Sequence, residues 1–345
     1  MPKVIQEERR YGADCPSARG RDANQRPGRW LKLRLATIVI SISGLGALGT
    51  LGRGHPMSSQ SQPPDAAAPA QVTEPHPLSN EDTQALVKRV LQTELEAAQD
   101  LSLTHPMRYK LRKTSPRLST TKLIVETKDG DVARLIAIND NPLSVEDKQK
   151  EEARLQGLLD DPNQQRHRKE REQGDTERVR KVMRALPDAF VYKFAGIVET
   201  PQGPSYRMSF QPNPHFDPQD LEAQVLKGMA GELWIDVAQQ RVTRLEGKRL
   251  HAVDYGLGIL GKLDEGGTML LEQADAGNHQ WRTTHMVLVM NARVLFKPVK
   301  LDTTLELSEF APVATGMNYR QAIEMLRANP VGGQPAAPAA TGSKR

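Results

Sequence analysis

Apolar positions along this chain fall into three regimes: one unbroken run, several helical stripes, and a long succession of alternating segments. The run Leu35–Gly52 carries no charged side chain. At about 1.5 Å per residue it would reach roughly 27 Å as a helix, near the lower limit for a hydrocarbon core. Ser79-Asn80-Glu81-Asp82 has the form of a capping box, and Leu86, Val87, Val90, Leu91, Leu95 and Ala98 follow at helical spacing. That pattern predicts a helix from Ser79 to Leu101. The spacing is helical again from Ser144 to Leu186, in two pieces. Val145–Leu159 is stopped by Asp160-Asp161-Pro162, and Gln164–Leu186 carries Val179, Val182, Met183 and Leu186 on one stripe. Phe216–Gly228 predicts a short helix and Met317–Ala328 a last amphipathic one.

The alternating segments predict strands. Met107–Thr114 alternates, and Lys122–Thr127 and Val132–Ile138 flank Asp129-Gly130, a strong hairpin signal. After Pro187 the chain turns mostly to strands, at Phe190–Glu199, Ser205–Gln211, Gly231–Val237, Arg241–Gly247, Thr268–Gln273, Trp281–Met290, Ala292–Lys297 and Asp302–Phe310. Turn residues separate them at Pro201-Gln202-Gly203, Ala238-Gln239-Gln240, Asp275-Ala276-Gly277-Asn278 and Asn291. Short connections between consecutive strands give antiparallel meanders rather than a parallel crossover sheet. The fold class is therefore α+β, an antiparallel sheet covered by helices with a helical insert at 144–186.

Charge changes the picture at the N-terminus. Residues 1–34 carry nine basic and four acidic side chains, so the whole net charge of +5 lies there; the remaining 38 basic and 38 acidic side chains cancel. A basic segment before an apolar run is the cytoplasmic flank of an export signal, and it argues against nucleic acid as a partner, since a nucleic-acid-binding domain carries its charge in the folded part. A cleavable signal peptide and a retained membrane anchor at 35–52 both stay open, the small residues Ala47 and Gly49 fitting a cleavage site. Either way the expected location is the periplasm or cell envelope. Cys15 is the one cysteine and precedes the run, so the exported part can hold no disulfide or thiolate metal site, and no cysteine follows the run to carry a lipid. Residues 53–78 and 330–345, rich in Pro, Ala, Ser and Gln or in Pro, Ala and Gly, read as a disordered linker and tail around an envelope domain at 79–329.

Few residues offer chemistry. The histidines His55, His76, His105, His167, His215, His251, His279 and His285 include no His-x-x-x-His pair, so neither a metal nor a cofactor is expected. Gly256-Leu257-Gly258-Ile259-Leu260-Gly261 matches the letters of a dinucleotide fingerprint but lacks the βαβ unit that would hold a pyrophosphate. It reads instead as a backbone loop. No Gly-x-Ser-x-Gly elbow or Walker loop occurs, and no catalytic residues are assigned. The mixed charges of Gln165–Arg178 fit a solvated helix face better than a nucleic-acid surface.

The sheet itself is the remaining candidate. Leu233, Ile235 and Val237 alternate with polar or aromatic residues, while Met269-Leu270-Leu271 and Met286–Met290 are apolar on both faces. A strand apolar on both faces must cover something on each side. One face can meet a helix such as Ser79–Leu101; the other can line a cavity, where methionines adapt to variable greasy ligands. The candidate lipid-binding set is Leu233, Ile235, Val237, Met269, Leu271, Met286, Leu288 and Met290. A well-filled core explains the same pattern.

Gly231-Glu232-Leu233-Trp234-Ile235-Asp236 followed by Gln240-Arg241-Val242-Thr243-Arg244-Leu245-Glu246 resembles the strand–turn–strand phrase of LolA/LolB-like outer-membrane lipoprotein-sorting proteins. Gly261-Lys262-Leu263, Gly266-Gly267 and Trp281 continue the likeness, which spans roughly Phe190–Pro312. The resemblance implies a strongly curved antiparallel half-barrel closed by helices, holding acyl chains without chemistry, with lipid or an acylated protein as partner. The insert at 144–186 departs from that pattern. An envelope interaction or scaffolding protein with a filled interior is the alternative, with the Gln164–Arg184 helix as partner surface; an envelope hydrolase is a weaker third.

Overall fold

The structure, a computed structural model, describes residues 77–255, 261–294 and 297–328. The basic segment, the run Leu35–Gly52, most of the linker, the tail and five residues of the Gly256–Gly261 phrase lie outside the described residues.

Helix α1 (Asn80–Thr104) begins where its cap dictates. The Ser79 hydroxyl accepts the Asp82 N–H at 3.1 Å and donates to the Asp82 carboxylate at 2.6 Å. Glu81 and Asp82 also face the positive end of the helix dipole. The stripe Leu86, Val87, Val90, Leu91 and Leu95 is buried, each side chain contributing about 2 kcal/mol by removal from water.

A four-stranded antiparallel meander follows: β1 (Met107–Ser115), β2 (Leu118–Val125), β3 (Val132–Ile138) and the two-residue β4 (Asn141–Pro142). Gly130, at φ 93, makes the β2–β3 turn, in the left-handed region that glycine enters without cost. Helices α2 (Val145–Asp160) and α3 (Pro162–Ala189) come next. Ser144 caps α2 by accepting the Asp147 N–H at 3.0 Å. Asp161 caps α3, with Pro162 at its first position where a missing N–H costs nothing. The helix passes through Pro187 to Ala189, beyond the stop expected at Leu186. One turn from the end, the proline sacrifices a single backbone bond, and its own carbonyl accepts the Gln84 side chain at 2.8 Å.

The remainder is strand: β5 (Phe190–Thr200), β6 (Gly203–Pro212), a 3-10 turn at Glu222–Leu226, β7 (Met229–Asp236), β8 (Val242–Arg249), β9 (Val253–Tyr255), β10 (Gly261–Leu263), β11 (Thr268–Asp275), β12 (Trp281–Val294), β13 (Lys297–Pro312), and finally helix α4 (Tyr319–Ala328). All belong to one antiparallel sheet in the order β4-β3-β2-β1-β13-β12-β11-β8-β7-β6-β5, with β9 and β10 attached beside β12. It is not closed into a barrel, since β4 and β5 end the order unpaired with one another. This is the α+β class the sequence predicts.

Two expectations fail: the helix expected over Phe216–Gly228 is reduced to the 3-10 turn at Glu222–Leu226, and the break expected at Asn291 is absent. Asn291 is not a turn and Ala292–Lys297 is not a separate strand. Asn291 pairs with Lys300 and Ala292 with Val299 inside a continuous β12–β13 ladder. Buried Ala292 holds the strand through a polar residue that, by composition alone, marks a break.

Three apolar clusters fill the protein. Helix α1 and the end of α3 pack on β5–β8; α2 and α4 pack around Val125 and Val132; β1, β11, β12 and β13 meet around Tyr109, Met286 and Leu305.

Candidate functional site: an apolar cavity under two helices

Neighbouring strands β1, β13, β12, β11, β8 and β7 all contribute side chains to one cavity on the face they share. The cavity has a volume of about 230 Å³. Leu91, Glu94 and Ala98 of α1 and Val179, Val182, Met183 and Leu186 of α3 cover it. Sequence reasoning set the insert apart from the half-barrel, yet the apolar stripe at its end is part of the cavity wall. The other faces of α3 carry the charges in ladders such as Arg168–Glu172 at 3.0 Å and Arg180–Glu177 at 3.2 Å.

Of the eight candidate residues, Leu233, Met269, Leu271, Leu288 and Met290 line this cavity. Ile235 points to the same side but is sealed in the α1 cluster, and Met286 packs with Leu305 and Tyr109 in the core. Val237 lies beyond β7, half-buried and off the wall. A register shift between β11 and β12 at Glu272/Gln273 explains part of the pattern. It puts Trp281 and Thr283 on the cavity side together with Leu288 and Met290, which simple alternation would place on opposite faces.

The partners of the wall's polar groups were not legible from local pattern. Glu94 on α1 receives Arg241 through two bonds of 2.8 Å and the Val242 N–H at 2.9 Å. A helix and a strand edge 147 residues apart are thereby fixed to each other. Arg241 also lies 5.9 Å from the Trp281 ring. Glu126 accepts the Met107 N–H at 2.9 Å and faces Arg282 at 3.6 Å. Arg282 itself donates to the His105 carbonyl at 2.9 Å. At the opposite end stands Arg249, buried, bonded to the carbonyls of Lys227 and Val225 at 2.8 and 2.7 Å. Period-2 reading of Leu245, Gly247 and Arg249 would have placed it on the inner face.

Burial raises the Glu126 carboxyl above the ordinary range, against the opposing pull of Arg282. The folded protein therefore keeps this proton to higher pH than the unfolded chain, whose value is about 4.3. Stability contributed here is present below that value and falls as pH rises through the raised folded value. Glu126→Gln, which keeps an acceptor for Met107, should flatten that part of the slope. Urea midpoints of both proteins from pH 4 upward check it, and parallel curves would refute it.

Among the described residues, no three His, Cys, Asp or Glu side chains gather as a metal site requires. His279 sits in the turn before β12 at φ 58, and His285 contacts Glu272 at 3.0 Å, so they share no strand face. Among the described residues no helix is long and apolar enough to cross a membrane.

The fold and site thus define an open-sheet α+β protein with a helix-covered apolar cavity. No family model and no curated protein matches the chain. Two crystal structures are similar to it. One, from Vibrio parahaemolyticus and provisionally named an outer membrane lipoprotein-sorting protein domain, is 10% identical over 70% of this chain and 99% of that chain, with a TM-score of 0.25. The other, a DUF1329 family protein from Desulfovibrio piger ATCC 29098, is 12% identical over 67% of this chain and 92% of that chain, with a TM-score of 0.23.

Proposed function

We propose that this chain is a non-catalytic cell-envelope protein that binds a lipid or a lipid-modified protein by taking up an acyl chain in the cavity. The observation that carries the reading is the void itself, about 230 Å³ with a mostly apolar wall between the sheet and two helices. A filled interior, the alternative, leaves no such space. A 150 Å³ apolar cavity accommodates a benzene-sized guest, and drug-sized ligands need about 300–1,000 Å³. The volume therefore suits part of one acyl chain rather than a whole diacyl lipid. Burial of that chain supplies about 25 cal/mol per Å² before the cost of ordering it. The envelope location rests on the uncharged run Leu35–Gly52 behind a basic segment.

Native mass spectrometry of the delipidated full chain tests the reading. Uptake of phospholipid, fatty acid or acylated peptide is expected, and a chain that takes up none of them refutes it. Met269→Trp, which fills the wall from a half-buried position, should lower uptake about tenfold. The melting temperature should hold within a few degrees, because the added volume enters existing space rather than packed core.

A further inference from the structure

We infer that the cavity takes a single-chain amphiphile with an anionic oxygen head group, and that Arg249 is the residue that pairs with the head. The inference rests on the acyl-binding reading above and narrows its ligand.

Five charged residues stand in the cavity wall: Glu94, Glu126, Arg241, Arg249 and Arg282. Four of them form two pairs, Glu94 with Arg241 and Glu126 with Arg282. Arg249 is the odd one. It is 1% exposed, and no carboxylate among the described residues forms an ion pair with it. Its two Nη atoms donate to neutral carbonyls and its Nε has no acceptor. Burial draws its pKa down to about 10, so it still carries its charge at neutral pH. A buried cation without a counter-charge costs several kcal/mol, and a ligand anion is one way to offset that cost. Each Nη spends one N–H on a carbonyl and keeps one, and two such N–H groups on a planar guanidinium match the paired oxygens of a carboxylate or phosphate.

The placement of Arg249 gives the ligand a direction. It follows Leu245 and Gly247 on the inner face of β8, and its backbone N–H donates to the Gly267 carbonyl at 2.8 Å, just before Thr268 opens β11. From Thr268 the wall runs through Met269 and Leu271 to Gln273, beside Trp281 at the far end. At about 3.3 Å per residue those five steps cover roughly 17 Å. Between the ends the wall is apolar, with Leu245, Leu271, Leu288 and Met290. The far end is already neutralised by the Glu94–Arg241 pair. A head at Arg249 and a tail toward Trp281 satisfies both ends, whereas the reverse leaves Arg249 unpaired.

Three ligands with the same twelve-carbon tail test this by native mass spectrometry of the full chain: dodecanoate, dodecyl phosphate and dodecanol. At least one anion should bind about tenfold or more tightly than dodecanol, and the tighter anion shows whether the head is a carboxylate or a phosphate. Arg249→Met should lower anion binding by a similar factor and weaken dodecanol binding far less, since a neutral hydroxyl loses a hydrogen bond but no charge pairing. If that variant does not fold, the three-ligand comparison on the unaltered chain decides alone. Dodecanol bound as tightly as both anions overturns the role of Arg249 and leaves acyl binding standing. Binding of none of the three overturns the single-chain inference, and the phospholipid and acylated-peptide trials then decide acyl binding by themselves.

Discussion

Gly231→Ala is expected to destabilise the protein by at least about 3 kcal/mol, through overpacking against an unyielding neighbour. At 2–4 °C per kcal/mol for a domain of this size, that lowers the melting temperature by roughly 6–12 °C. A Cβ at Gly231 would land on the backbone carbonyl oxygen of Glu246, and its next contacts are also backbone atoms. Gly231 and Gly247 pair directly across β7 and β8, so the two strands pinch together at a point where neither has a side chain. Gly231 does not adopt a positive φ, so the cost is one of space alone. Gly247 supplies the control. A Cβ there would meet the terminal methyl of Met229 at 2.8 Å, the far end of a flexible side chain. Gly247→Ala should therefore cost less than about 1 kcal/mol, since methionine repacks readily. Thermal unfolding of the two variants side by side checks the contrast; equal losses would show that the pinch does not hold the strands.

Glu94→Ala is expected to cost about 3–5 kcal/mol, because it leaves the Arg241 charge buried with no partner. Glu94 and Arg241 are both largely shielded from solvent, and the Val242 N–H loses its acceptor in the same step. The worth of the pair differs from the cost of breaking it. A double replacement by apolar residues of similar volume, Glu94→Leu with Arg241→Met, should recover most of the loss, since removing both charges removes the desolvation penalty as well. Urea unfolding of the single and double variants measures this. A double variant as unstable as Glu94→Ala would mean the pair contributes by geometry that no apolar contact replaces. Glu94 also lies in the cavity wall, so the single variant should loosen α1 over the end near Trp281.

Much of the fold was legible where the signal is local. The Ser79 cap, the Asp129-Gly130 hairpin and the Asp275–Asn278 turn are each written in a few adjacent residues, and each appears in place. Asn291 misled because turn propensity is a local quantity, and the ladder against Lys297–Pro312 overrode it. The two short strands Val253–Tyr255 and Gly261–Leu263 were missed because three residues hold no countable period. Within the site, alternation reached Leu233, Met269, Leu271, Leu288 and Met290, which depend only on which face of a strand they occupy. It could not separate them from Ile235 and Met286, since wall and core share a face and differ only in what packs opposite. The charged residues of the wall stayed hidden for a different reason. Glu94 and Arg241 are 147 positions apart, and nothing in the charge of either segment announces the other.

The pairing of the first long strand with the last sets the order in which this protein can become itself. Met107 lies opposite Pro312 and Thr114 opposite Thr304, and among the described residues β13 alone pairs β1–β4 to the rest of the sheet. Contacts so distant along the chain form slowly, because the intervening loop must be closed before they return any stability. A nascent chain that ends before Lys297 can build the meander from β5 to β12, but Tyr109 has no Leu307 or Phe310 beside it to complete that part of the cavity wall. The cavity is thus a late product of synthesis, complete only once almost the whole domain has emerged.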